Sequence, residues 1–151
     1  MCSFISASPW LKVSSDMVCF GAKDDSYGTF TIPLRGLVVY LKLVYISGYV
    51  TCLRGKIPYG SHWGCRVETR LTTLVKNARN EVVFPGYEQR ETYSLPGYHI
   101  NSSELVFNIL SLPLQVAALE EFRIWYFLDL LNNSEHNKAG HTCVDVYVLL
   151  N

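Results

Sequence analysis

Short apolar runs alternate along this chain with clusters of Gly, Pro, Asn and Ser, and only LQVAALEEF shows any helical periodicity. Punctuation this frequent confines each element to a few residues, which is strand length rather than helix length. The spacing predicts strands over residues 17–21, 28–34, 36–47, 48–53, 66–76, 80–85, 103–109, 113–118, 121–128 and 142–150. Polarity alternates inside them as a half-buried strand requires: Thr29 and Thr31 face away from Phe30 and Ile32, and Val144 and Val146 away from Asp145 and Tyr147. LQVAALEEF is Ala-rich, yet Pro113 before it and the aromatic run after it favour a strand and a turn. Ser47-Gly48, Asn77 to Asn80 and Pro96-Gly97 carry turn chemistry, and each predicts a hairpin.

A chain of 151 residues without internal repeats suits one core that buries about two-thirds of the unfolded surface. The reading is an N-terminal extension over 1–16 and a single all-β sandwich of jelly-roll type over 17–151. FRIWYFL is almost continuously apolar, so it cannot be an edge strand. Pairing it with TCVDVYVLL as a hairpin leaves residues 129 to 141 as a loop far longer than the usual two to five. Loops of that length are commonly functional or descended from functional ones.

Charge and motif absences narrow the function. Lys plus Arg and Asp plus Glu stand at 13 each, so no net field draws the chain to nucleic acid or anionic lipid. GLVVYLKLVYISGYV is broken by Lys42, Ser47 and Gly48, short of the roughly 18 apolar residues of a membrane span. No G-x-S-x-G, H-E-x-x-H, G-x-G-x-x-G or P-loop spacing occurs, which argues against an enzyme. Asp24 and Asp25 are adjacent and would face opposite sides of a strand, so a solvated turn suits them better than an acid and base pair. His136 and His141 lack a third ligand of fixed geometry for a transition metal.

Five cysteines without CxxC spacing point to disulfides rather than zinc. Cys52 and Cys65 bracket a turn-rich segment, and Cys19 with Cys143 could join an early strand to the last; buried thiols remain the alternative. Sequons at Asn101 and Asn132 fit surface loops of a secreted protein. Tyr59, His62 and Trp63 lie between Cys52 and Cys65, as rings to stack on a sugar or, for Trp63, as a plug for the sandwich end.

YGTFTI, LKLVYISGYVTC, HWGC, ELVF, FRIWY and SEHNKAGHTCVDVY resemble an uncharacterised secreted domain of corals and sea anemones found among skeletal organic matrix proteins. LVYISGYVTC followed by HWG, with IWYFLDL before an Asn and Gly loop, is similar to small bacterial calcium-dependent galactose lectins. The resemblance implies a galactose-binding-like sandwich in which sugar hydroxyls bind Ca²⁺ directly. Carried onto this chain, the ion would take the Cys52 carbonyl, Asp129, the Ser134 carbonyl and side chains at Asn137 and Lys138, with Asp129 and Asn137 also facing the sugar. The loop departs from the pattern here. Asn137 stands where an acid is usual, and Lys138 brings an ammonium that has no lone pair and repels a divalent ion. A Lys138–Asp129 pair in place of the ion is the physical expectation. The function expected is therefore a secreted, non-catalytic lectin-like module whose calcium is weak or absent. The alternative is a structural extracellular matrix protein that acts through protein contacts.

Overall fold

The computed structural model describes residues 9–22, 25–51, 60–65, 67–85, 92–109, 113–126 and 140–151. Ten strands run through them: β1 (Leu11–Lys12), β2 (Val18–Gly21), β3 (Gly28–Ile32), β4 (Gly36–Gly48), β5 (Thr73–Asn77), β6 (Val82–Phe84), β7 (Glu104–Asn108), β8 (Leu114–Val116), β9 (Glu120–Tyr126) and β10 (His141–Leu150). In the first sheet β10 pairs with β1 and β2 on one side and with β4 on the other, and β4 carries β7 and β8 along its far edge. The second sheet runs β3-β9-β5-β6. Every pairing is antiparallel, which gives the all-β sandwich expected from the sequence.

The core lies between the sheets and follows from strand alternation. Phe30, Ile32, Phe122 and Ile124 from the second sheet meet Phe20, Leu41, Leu43, Phe107, Val144, Val146 and Val148 from the first in one buried cluster. Thr29 and Thr31 face solvent as their alternation predicts. Burying each large side chain contributes about 1.5–3 kcal/mol before chain entropy is counted. Outside the first sheet, Lys42 holds its ammonium 4.3 Å from the Trp10 ring centroid and 5.0 Å from that of Tyr147.

The turn from Asn77 makes the expected hairpin: β5 pairs β6, Asn80 takes φ 63°, and the Asn77 side chain accepts from the Arg79 and Glu81 amides. LQV is a strand and the residues after it a turn, again as read. The Cys19–Cys143 disulfide joins directly paired positions of β2 and β10.

Several expectations are corrected. β9 and β10 do not form a hairpin, since they belong to different sheets. Each is flanked on both sides within its own sheet, and their apolar faces meet across the core instead of edge to edge. Ser47-Gly48 ends β4 without a hairpin: Gly48 turns to φ 88°, the Tyr49 amide donates to His141, and Val50 bridges Ser61. Among the described residues of 48–53, Tyr49 to Thr51 therefore make no regular strand with β4. Of the expected strand 66–76, the described residues place only Thr73 onward in a strand, β5; Leu71 makes isolated bridges to Gly64 and Tyr93, and a turn from Val67 to Arg70 precedes it. Pro96-Gly97 forms a turn closed by Tyr98 donating to Leu95, with no paired strands around it among the described residues. Leu11–Lys12, assigned to an extension by the sequence, pair with β10 and belong to the sandwich.

Candidate functional site

One end of the sandwich gathers the segments that the sequence singles out. A bulge at Ile46 re-aims the end of β4, as Val144 pairs with Tyr45 but Cys143 with Ser47. Gly48 follows at φ 88°, and a Cβ there would lie 2.0 Å from the His141 carbonyl oxygen. Gly140 answers from the other side at φ 89°, with its own imaginary Cβ 2.2 Å from the Tyr49 carbonyl oxygen. Only glycine tolerates both the left-handed backbone and this closeness. The Ala22 amide donates to Gly140, so the exit of the long connection is gripped by β2 and β4 together. Gly48→Ala is expected to cost about 1–3 kcal/mol from the backbone alone, more with the clash, and thermal melting checks it. An unchanged melting temperature would mean that the end of β4 is not held this tightly.

The return limb of the 50–61 segment is fixed by hydrogen bonds. Val50 and Ser61 exchange both backbone bonds, and the Ser61 hydroxyl donates to the Gly64 carbonyl while accepting from its amide. The His62 and Trp63 amides both donate to Ile100, and the Trp63 indole donates to the Ser102 carbonyl at 2.7 Å. The Trp63 carbonyl accepts from the Thr72 amide and from the hydroxyls of Thr72 and Thr73. Trp63 is fully buried, so it plugs the sandwich end and leaves no ring face for a sugar. Beneath it, burial pushes the Tyr126 phenol above its ordinary range, and the nearby Thr72 hydroxyl opposes this only partly. Among the described residues that phenol finds no hydrogen bond of normal geometry, for the Thr72 hydroxyl is turned toward the Trp63 carbonyl.

His62 behaves differently. Its half-buried ring stacks on Tyr45 with centroids 3.4 Å apart and planes 7° from parallel. Nδ1 lies 3.1 Å from the Ser102 carbonyl, which can only accept, so Nδ1 donates, and in the neutral ring Nε2 is left as the acceptor. Tyr45 is itself fixed, its hydroxyl donating to the Gly48 carbonyl at 2.7 Å. The Thr142 hydroxyl donates to the His62 carbonyl and ties this platform to the start of β10. A rigid, partly exposed aromatic stack with an acceptor nitrogen is chemistry suited to the apolar faces and hydroxyls of sugars.

His62 is thus tied through its carbonyl to Thr142 at the start of β10. Asp129, Ser134, Asn137, Lys138, Cys52, Tyr59 and the sequon at Asn132 fall outside the described residues. Asn101 is exposed in the turn that presents Ser102 to His62 and Trp63. Cys65 is disulfide-bonded, and Cys52, its expected partner, is outside the described residues. Among the described residues no three His, Cys, Asp or Glu side chains are placed to hold a metal ion. Tyr45, Ser102 and Thr142 escaped the sequence reading, because they converge from distant parts of the chain. Gly48 entered it only as the turn of an expected hairpin.

No family model matches the chain, and no curated protein matches it. Among solved structures it is similar to AJLec from the sea anemone Anthopleura japonica, a lectin, with 29% sequence identity and a TM-score of 0.80. The match covers 94% of this chain and 97% of that one. This supports the remote lectin kinship implied by the motifs.

Proposed function

We propose that this protein is a secreted, non-catalytic carbohydrate-binding module whose sugar contacts lie at the end of the sandwich bearing Tyr45, His62 and the 127–139 connection. The likeness to a lectin over nearly the whole of both chains carries the reading. The Tyr45–His62 stack supplies a surface of suitable chemistry. Disulfides at Cys19–Cys143 and at Cys65 fit an oxidising compartment. No helix among the described residues is long and apolar enough to cross a membrane.

Calcium fits this chain poorly. The candidate donors are one carboxylate, Asp129, one amide, Asn137, and the carbonyls of Ser134 and Cys52, with the Lys138 ammonium among them. Ca²⁺ takes six to eight oxygens and gains affinity with ligand charge, so this set of donors would hold it weakly. Sugar contacts in this copy rest on its side chains and backbone.

A glycan array read with calcium and with chelator tests the function: sugar binding supports it, and no binding under either condition leaves the matrix protein that acts through protein contacts. The loop correspondence has its own test. Asn137→Asp with Lys138→Asn adds a carboxylate and removes the cation, and calorimetric titration should show calcium bound at least about tenfold more tightly than by the parent. Equal affinities would mean that residues 129–138 do not correspond to the lectin loop.

A further inference from the structure

A second polar site lies along the flank of the sandwich, on the opposite side of β10 from Tyr45. A groove of about 760 Å³ runs between the segment Val13–Cys19 and strand β3, a size within the roughly 300–1,000 Å³ of ligand sites. Its origin is topological. β1 and β2 form one edge of the first sheet, and β3 is an edge of the second, pairing with β9 alone among the described strands. Between β1 and β2 the chain leaves β10: the Ser14 hydroxyl takes over the Val146 amide, and Ser15, Asp16 and Met17 stand exposed. The two edges close together where Gly28 packs on β2, a Cβ there lying 2.7 Å from the Cys19 carbonyl oxygen.

The groove wall is rich in unused hydrogen-bonding groups. Ser15, Asp16, Thr29 and Thr31 are exposed and make no ion pair or side-chain hydrogen bond to any described residue. Glu121 is held by Arg123 through Oε1 at 3.3 Å, which leaves Oε2 for a ligand. Arg123 in turn lies 4.9 Å over the Tyr27 ring, and Tyr27 leans on the buried Trp125 at 4.8 Å. The carboxylate and the phenol at this end are therefore braced before any ligand arrives, which lowers the ordering cost of binding. Past Gly28, β3 adds an outer edge without backbone hydrogen bonds to other described residues, about 10 Å long over residues 29–32 at 3.4 Å per residue.

We propose that this groove is a calcium-independent binding site for a neutral oligosaccharide. Carboxylates and hydroxyls set along a wall match the repeated hydroxyl donors and acceptors of a sugar chain. Asp16 and Glu121 disfavour an acidic one. An extended peptide paired with β3 would need side-chain pockets at alternate positions, and the outward-facing positions of β3 offer Thr29 and Thr31 hydroxyls instead. The proposal rests on the carbohydrate reading above only for the class of ligand.

The test titrates the whole protein, in chelator, with the neutral tetrasaccharides cellotetraose and lacto-N-neotetraose while backbone amide NMR shifts are followed. Shifts are expected at residues 28–32, with at least a tenfold weakening in Asp16→Asn combined with Glu121→Gln. Thr29→Val with Thr31→Val, which keeps strand propensity, should weaken binding similarly. Shifts only at the Tyr45–His62 end would overturn the groove and leave the proposed function standing. Shifts only at β3 would uphold the groove and move the protein's sugar site to it. Silence in both regions, or a response of β3 to a Lys-Thr-Lys-Thr-Lys peptide and to neither sugar, would overturn the proposal.

Discussion

Trp63→Ala is expected to lower the free energy of unfolding by about 3–5 kcal/mol, the range of large aromatic deletions in cores. The indole has no exposed surface and belongs to the same buried cluster as Val50, Leu71 and Ile100. Its loss also removes the donor that meets the Ser102 carbonyl. Trp63→Phe separates the two effects: the ring volume is largely kept, the hydrogen bond is lost, and the cost should fall to about 1–2 kcal/mol. Urea unfolding measures both. If the alanine variant lost under 1 kcal/mol, Trp63 would not be the plug described, and its ring would be free to serve a ligand.

Removing the Cys19–Cys143 bridge with the double variant Cys19→Ser and Cys143→Ser should be comparably costly. The bond ties residues 124 apart in sequence, and chain-entropy arithmetic for so long a loop gives roughly 4–5 kcal/mol, with measured native bridges at 2–5. For a domain of this size the melting temperature should fall by roughly 8–20 °C. Substitution is preferable to reductant, because Cys65 is also disulfide-bonded. The folded state should change little, since β2 stays paired to β10 at Val18, Phe20 and Gly21. A melting point within a degree or two of the parent would show that the unfolded chain already holds these strands together.

The fold class was legible because local alternation and turn chemistry report directly on burial. Thr29 and Thr31 against Phe30 and Ile32, and the Asn77 turn, needed no knowledge of distant partners. Sheet membership was not legible. FRIWYFL and TCVDVYVLL are equally apolar whether they pair or face each other, so nearness in sequence suggested a ladder where the structure has a core contact. β1 was missed because two residues carry no periodicity. At the candidate site, His62 and Trp63 were found through their residue type. Their separate roles depend on Tyr45, Ser102 and Thr142, whose convergence no spacing announces. The flank groove was equally hidden, for it exists only between the edges of two sheets.

The passage of the chain from β9 in one layer to β10 in the other has an evolutionary consequence. In a hairpin the turn dictates the register, so a changed tip residue slides every side chain behind it. Here each strand's alignment is set by its own flanking neighbours, Gly28 and Val75 beside Ile124 in β9, Val18 and Tyr45 beside Val144 in β10. A change of charge among the linking residues therefore leaves the register of both layers where these neighbours set it. An inherited recognition surface can thus drift from one chemistry to another on an unaltered frame.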